Sequence, residues 1–231
     1  MATLLLRLQG PMQSWGTRSR FDHRDTWPYP TKSGVLGLLA AALGRDRQED
    51  ISDLAALRMG VRVDQKGVLR VDYQTAQEVL RADLKGRGNV QSWRYYLADA
   101  AFLVGLEGPF SLLQEAHRAL ENPRYVLYLG RKGYVPSPPP YLEDGLREEP
   151  LEEALKAYPF LGKGKEGKDP RPEEGFLLVL EAEEGRLVYD QPVAPFAQRR
   201  FGARYVREEV LPKEAVPLPK EGDHVDQQAG A

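Results

Sequence analysis

At 231 residues, with 42% hydrophobic and 29% charged residues and a formal net charge of −2, the chain can bury one good core, or a main domain with a smaller companion. It has no cysteine, which excludes a disulfide framework and a thiolate metal site, and no apolar run approaches the roughly 18 residues of a membrane-spanning helix. The near-neutral total gives no whole-chain pull toward nucleic acid or a membrane, and the opening ATLLLRLQ is too short and too soon interrupted for a secretory signal, so a cytoplasmic location is expected.

Residues 2–9, leucines with Thr3 and Arg7, read as a largely buried first strand that Gly10-Pro11 should stop. Residues 10–30 form a long polar loop without periodicity, and an ordered loop of that length is more often functional than idle. YPTKSGVLGLLAAALG then predicts a helix at about 31–44, with Thr31 or Ser33 as N-cap and Gly44 as the C′ glycine. A short helical turn near 53–57 leads to a strand at 59–64. Residues 67–98 read as an arm: GVLRVDYQTAQ goes out, the basic, glycine-rich LKGRGN makes a tip, and VQSWRYYLAD returns. AAFLVGLEG (100–108) is a strand, FSLLQEAHRALEN (110–122) an amphipathic helix ended by Pro123, and RYVLYLG (124–130) another strand.

With the arm set aside, the order is strand, helix, strand, strand, helix, strand. That is the α+β, ferredoxin-like (RRM-like) βαββαβ plan, with two helices on one face of an antiparallel sheet and the arm as an inserted hairpin. Residues 1–132 form that domain. Residues 133–231 form a smaller, mainly β region: a stiff segment around Pro136 to Pro140, a helix at 151–158, a flexible loop at 162–175, a hairpin at 175–193 turning at Glu183-Glu184-Gly185, a strand at 199–210 and a loosely held tail from 212.

Charge is unevenly spread. Between 7 and 32, Arg7, Arg18, Arg20, Arg24 and Lys32 face only Asp22 and Asp25, and between 81 and 96, Arg81, Lys85, Arg87 and Arg94 face only Asp83. Glutamate pairs at 148/149, 152/153 and 173/174 make 143–184 acidic. A neutral total conceals either a basic face or an ordinary solvated surface, and charge alone leaves both open.

The Lys32-Ser33-Gly34 start of the helix invites comparison with a phosphate-binding loop, but GxxxxGK[ST] needs glycines before the lysine and here Pro30 and Thr31 precede it, which excludes nucleotide hydrolysis by that route. What remains is a helix N-terminus with unpaired N–H groups, two hydroxyls and Lys32: either a plain cap or a site for one phosphate. Gly34 and Gly37 cost the helix about 1 kcal/mol each relative to alanine and point to close approach of the sheet or of a ligand. The histidines, His23, His117 and His224, have no metal-ligand spacing, and no cofactor motif is present. His23, in the basic loop, is the one candidate for acid/base cleavage of RNA.

Arginines occur repeatedly beside flat side chains: Gln13-Ser14-Trp15, Arg24 and Trp27-Pro28-Tyr29 in the first loop, Gln91 to Tyr96 on the arm, Tyr128 to Lys132, and Arg199-Arg200-Phe201. Single-stranded RNA is held by this combination, arginines on phosphates and rings on splayed bases. The competing reading makes Trp15, Trp93 and Tyr96 packing residues and the arginines plain surface.

Taken in order, LLLRLQGPMQSWG, SRF with Arg24, YPTKSGVLGLLAAALG, QSWRYYLADAAFLVGL and RYVLYLGRK resemble Cas family five of the RAMP superfamily, the CasD-type subunits of type I-E CRISPR Cascade complexes. The likeness spans most of 3–132 and resumes at DQPVAPFAQRRFGARYV. It implies a thumb hairpin, a non-catalytic role in antiviral defence, a grip on the 5′ handle of the CRISPR RNA, and a cap on the CasC backbone next to the large subunit CasA. CasB and CasE share the complex, with target DNA reached only through it and no membrane. Relatives in type I-C systems cleave precursor RNA, so metal-independent endoribonuclease activity is the alternative. Carried over, the handle contacts are Gln13, Ser14, Trp15, Arg20, Arg24, Lys32, Ser33, Gly34, Trp93, Arg94, Arg131 and Lys132.

Overall fold

The computed structural model describes residues 2–17, 22–81, 84–163 and 168–219. Arg20, the arm-tip residues 82–83, residues 164–167 of the loop expected at 162–175, and the tail from 220, which includes His224, lie outside the described residues. In chain order the elements are β1 (Ala2–Gln13), β2 (His23–Arg24), α1 (Lys32–Leu43), α2 (Ser52–Ala55), β3 (Arg58–Gln65), β4 (Val68–Leu80), β5 (Arg87–Gly108), α3 (Phe110–Glu121), β6 (Leu146–Arg147), α4 (Leu151–Ala157), β7 (Phe176–Ala182), β8 (Arg186–Pro192) and β9 (Phe201–Leu211).

The strands form one sheet in the order β6-β1-β5-β3-β7-β9-β8, with β2 and β4 paired to the outer length of β5. All pairings are antiparallel except the short β2–β5 contact. β1 is buried on both faces, as its leucine run requires, since strands covered on both sides read as continuous apolar segments. On one face, α1 and α3 pack over Leu4, Leu6, Leu8, Phe102 and Val104. On the other, α4 lays Leu151 and Leu155 over Leu5, Leu103, Leu178 and Leu180. The approach of α4 requires two glycines that face each other in the ladder: a Cβ on Gly60 or Gly105 would sit 2.7 or 2.6 Å from a leucine methyl of α4.

Four expectations are corrected. Gly10-Pro11 does not stop β1, because Gly10 and Met12 still pair with Ala100 and Ala98, and β6 pairs only with Thr3 and Leu4, so the exposed Pro11 breaks no second ladder. RYVLYLG is not a strand. Arg124 and Tyr125 donate their N–H groups to the carbonyls of Ala42 and Ala41 at the end of α1, and the chain then follows β1 through isolated bonds such as Ser137 N to Gln9 O. Pro136, Pro138, Pro139 and Pro140 have no N–H to offer a regular ladder, so the edge closes only at β6. The fourth strand of the βαββαβ plan is therefore replaced by an irregular edge.

β7 and β8 do not form a hairpin: β9 lies between them, because β7, apolar over Leu177 to Leu180, needs a partner on each edge and takes β3 and β9. Residues 212–219 are held down, with Val216 fully buried and Pro217 accepting the Phe160 N–H.

The arm and the strand after it are one 22-residue strand, β5. β3 pairs with its inner half and β4 with its outer half, joined across Lys66 and Gly67 (φ +70°), so the arm is the sheet's own strand pair continued past its edge. Every residue of β4 except Asp72 is exposed. A lone two-stranded ribbon is marginally stable in water. Amide hydrogen exchange should therefore be faster by orders of magnitude over 68–92 than over 101–106 in the free chain, which exchange mass spectrometry measures directly.

Candidate nucleic-acid interface

The loop before α1 is built inward. Gln13 is fully buried and donates Nε2 to the carbonyls of Leu8 (3.1 Å) and Ala100 (2.7 Å), while its Oε1 accepts from Trp15 Nε1. Trp15 is itself core, and Ser14 Oγ donates to the Tyr95 carbonyl. A Cβ on Gly34 would lie 2.9 Å from the Trp15 ring, so that glycine serves the indole. Of the two readings of this segment, packing is the one its geometry fits.

The helix start is likewise closed by protein. Thr31 makes no side-chain cap. The Lys32 N–H instead donates to Asp190 Oδ2 (2.7 Å), and Arg204 holds that carboxylate through two bonds of 2.6 and 2.9 Å. Lys32 Nζ lies 2.9 Å from both oxygens of Glu181, and the side chain is only 1% exposed. Burial pushes the Lys32 ammonium below the usual lysine pKa, against the upward pull of Glu181. Tyr29 donates its hydroxyl to Glu208, and Arg186 of β8 lies over the Trp27 ring at 5.3 Å. The lip expected to receive a phosphate through Lys32 thus already carries two carboxylates from the C-terminal strands, and this corrects the assignment of Lys32. The signal was in the sequence, at Asp190 and Arg204 within DQPVAPFAQRRFGARYV, but nothing local pairs them with a helix about 160 residues earlier.

Cationic and ring side chains gather instead where the ribbon leaves the sheet. The β2–β5 register sets His23 beside Trp93 and Arg24 beside Arg94, and the β4–β5 register sets Tyr73 opposite Trp93. Three rings therefore lie in a row across three strands: His23 stacks on Trp93 at 5.0 Å and 8°, and Tyr73 meets Trp93 at 5.4 Å. His23 and Tyr73 are exposed and Trp93 half-buried, which is the form of a stacking platform. Alternation along the strands places Arg24 and Arg94 on the opposite face.

Arg131 locks this region by donating to the carbonyls of Arg24 (3.2 Å) and Tyr95 (3.0 Å) and to the Tyr134 hydroxyl, while Lys132 beside it is exposed. Ser33 and Lys132 share a groove along α1. Of the residues singled out in the sequence, Arg24, Trp93, Arg94 and Arg131 come together with Lys132 next in the chain, Ser14 is buried beneath them on the Tyr95 carbonyl that Arg131 shares, and Gln13, Trp15 and Lys32 are buried elsewhere. Tyr73 was missed, although period-2 pairing across a hairpin would have reached it. His117 Nε2 donates to the Leu142 carbonyl, away from this face.

The body is mixed α/β with an antiparallel sheet, and a ribbon with arginines and rings at its root protrudes from it. The family profile described as CRISPR-associated protein (Cas_Cas5) matches residues 3–207, and the chain belongs to that family. It is 38% identical over 178 residues to the CRISPR system Cascade subunit CasD of Escherichia coli (strain K12), covering 69% of this chain and 78% of that protein. It is also similar to a crystal structure of a Cas protein (TM-score 0.79, 69% identity, 94% of this chain and 98% of that one). A chain of a CRISPR RNA-guided surveillance complex matches as well (TM-score 0.73, 32% identity, 94% of each chain).

Lys32→Ala should cost less than the roughly 3–5 kcal/mol of breaking a fully buried pair, about 2–3 kcal/mol, because Glu181 is 21% exposed and keeps Arg204 at 3.6 Å. Lys132→Ala should stay within about 0.5 kcal/mol. Urea unfolding of the two variants checks the contrast.

Proposed function

We propose that the chain is the CasD-type subunit of a type I-E Cascade surveillance complex, a non-catalytic scaffold in the cytoplasm that grips the 5′ handle of the CRISPR RNA. In this reading residues 1–132 are the ferredoxin-like RNA-binding part, the β4–β5 ribbon is the thumb, and residues 133–231 are the smaller companion. The subunit caps the CasC backbone next to CasA, in a complex that also holds CasB and CasE. One observation carries the reading: at the ribbon's root, Arg24 and Arg94 sit on one face, with Arg131 bonded to the Arg24 carbonyl and Lys132 next to it in the chain, and the His23–Trp93–Tyr73 row sits on the other. Arginines reach phosphates on either side of a ribbon edge while the rings take unstacked bases, which is how single strands are held. His23 then acts by stacking on Trp93 rather than by moving a proton.

The test is binding of the organism's own CRISPR repeat RNA across a salt series. Arg24→Ala with Arg94→Ala should weaken binding at least tenfold and flatten the log–log salt slope by about 0.7 per lost phosphate contact. Unchanged affinity and slope would contradict the assignment. Incubation of the same RNA in EDTA tests the non-catalytic part: intact RNA is expected, and specific cleavage abolished by His23→Ala would overturn it.

A further inference from the structure

Glycine inside a helix is unfavourable relative to alanine, and α1 contains two near its start. Gly34 is accounted for by Trp15. Gly37 is not: a Cβ there would meet only Phe196, at an ordinary 3.8 Å, so packing does not require the glycine. Gly37 instead lies in the floor of a groove of about 720 Å³, beside Ala41, with Tyr128 and Phe196 as walls and Ser33 and Lys132 also lining it. That volume lies within the range of small-molecule sites, roughly 300–1,000 Å³, and an apolar aromatic interior with a few polar groups is their usual chemistry.

The charge around the groove favours an anion-bearing occupant. Lys132 is exposed, Arg47 lines the groove while one Nη donates to the Phe196 carbonyl, and Arg45 is matched by Asp53, which leaves Asp46 as the lone acid of the lining. Lys132 also follows Arg131 directly, and Arg131 is bonded to the backbone of Arg24 and Tyr95, so the Lys132 edge of the groove is one residue along the chain from the root of the ribbon. We propose that this groove takes one unstacked nucleobase of the bound single-stranded RNA, the ring against Tyr128 and Phe196 and the phosphate at Lys132, with Gly37 keeping the floor open. This rests on the RNA-binding reading above and extends it to a second face, across the irregular 124–132 segment from the ring row.

The experiment uses the full chain and its CRISPR repeat RNA carrying 4-thiouridine at one position at a time. Ultraviolet crosslinking is read by mass spectrometry of the attached peptide. One position should crosslink to residues 125–128 or to Phe196. Gly37→Leu, which fills the groove and suits a helix better than glycine, should abolish that crosslink and weaken binding about tenfold, as loss of one stacked base does. Lys132→Glu, an exposed change that does not touch the core, should weaken binding without loss of thermal stability.

Crosslinks confined to the ribbon's root, or full affinity in Gly37→Leu and Lys132→Glu, would overturn the groove assignment and leave the RNA reading intact. No crosslink anywhere on the chain would remove the RNA reading itself. If Gly37→Leu binds RNA normally but fails to assemble with the other Cascade subunits, the groove is a protein dock and the proposal is wrong.

Discussion

The first turn of α1 is where the two parts of the chain are joined. Its N–H groups and partial positive charge are answered by Asp190 of β8, which Arg204 of β9 grips on both oxygens, and Lys32 within the same turn is answered by Glu181 of β7. Lys32, Asp190 and Arg204 are buried and Glu181 half-buried, and such charges are costly singly and acceptable as a set, which ties the first turn of α1 to the C-terminal strands. Tyr29 and Trp27 add contacts to Glu208 and Arg186 along the same seam. The helix start that looks like an anion site in isolation is neutralised from within.

That closure decides where the chain can meet a polyanion. With Lys32 removed from the surface, the cations near the point where β5 changes from a central strand of the sheet to one edge of a ribbon include exposed Arg24 and half-buried Arg94, with exposed Lys132 next to Arg131. The inner half of β5 is fixed between β1 and β3, and its outer half has only β4 and the two residues of β2. Trp93 therefore sits close to a rigid anchor while its neighbours toward the tip are free to adapt, an arrangement suited to a partner that orders the ribbon as it binds.

Much of this fold was legible in the sequence because it is written in local periodicity. The helices α1, α3 and α4, the β3 strand and the hairpin from 67 to 98 are each marked by their own apolar spacing and by Gly44, Pro123 or a glycine-rich tip. What was not legible depends on edges. RYVLYLG has a strand's composition, yet its N–H groups close the end of α1 and the prolines after it cannot sustain a ladder. FLLVLEA followed by a turn and RLVYD reads as a hairpin, and nothing local says that β9 will separate them. The site divided in the same way. Arginine and aromatic clustering in the sequence marks Trp93, Arg94 and Arg131, which the fold brings close together, while the burial of Gln13 and Lys32 follows from partners far along the chain: Ala100 for Gln13, Glu181 and Asp190 for Lys32.

The central claim is that the YPTKS lip is a joint within the protein and that RNA lies at the ribbon's root instead. A cryo-electron microscopy map of the assembled complex with its guide RNA tests this most directly. Sugar-phosphate density should lie against Arg24, Arg94 and Lys132, with Lys32 still bonded to Glu181 and Asp190 still closing the helix. A phosphate within hydrogen-bonding distance of Lys32 Nζ, with Glu181 displaced, would contradict it.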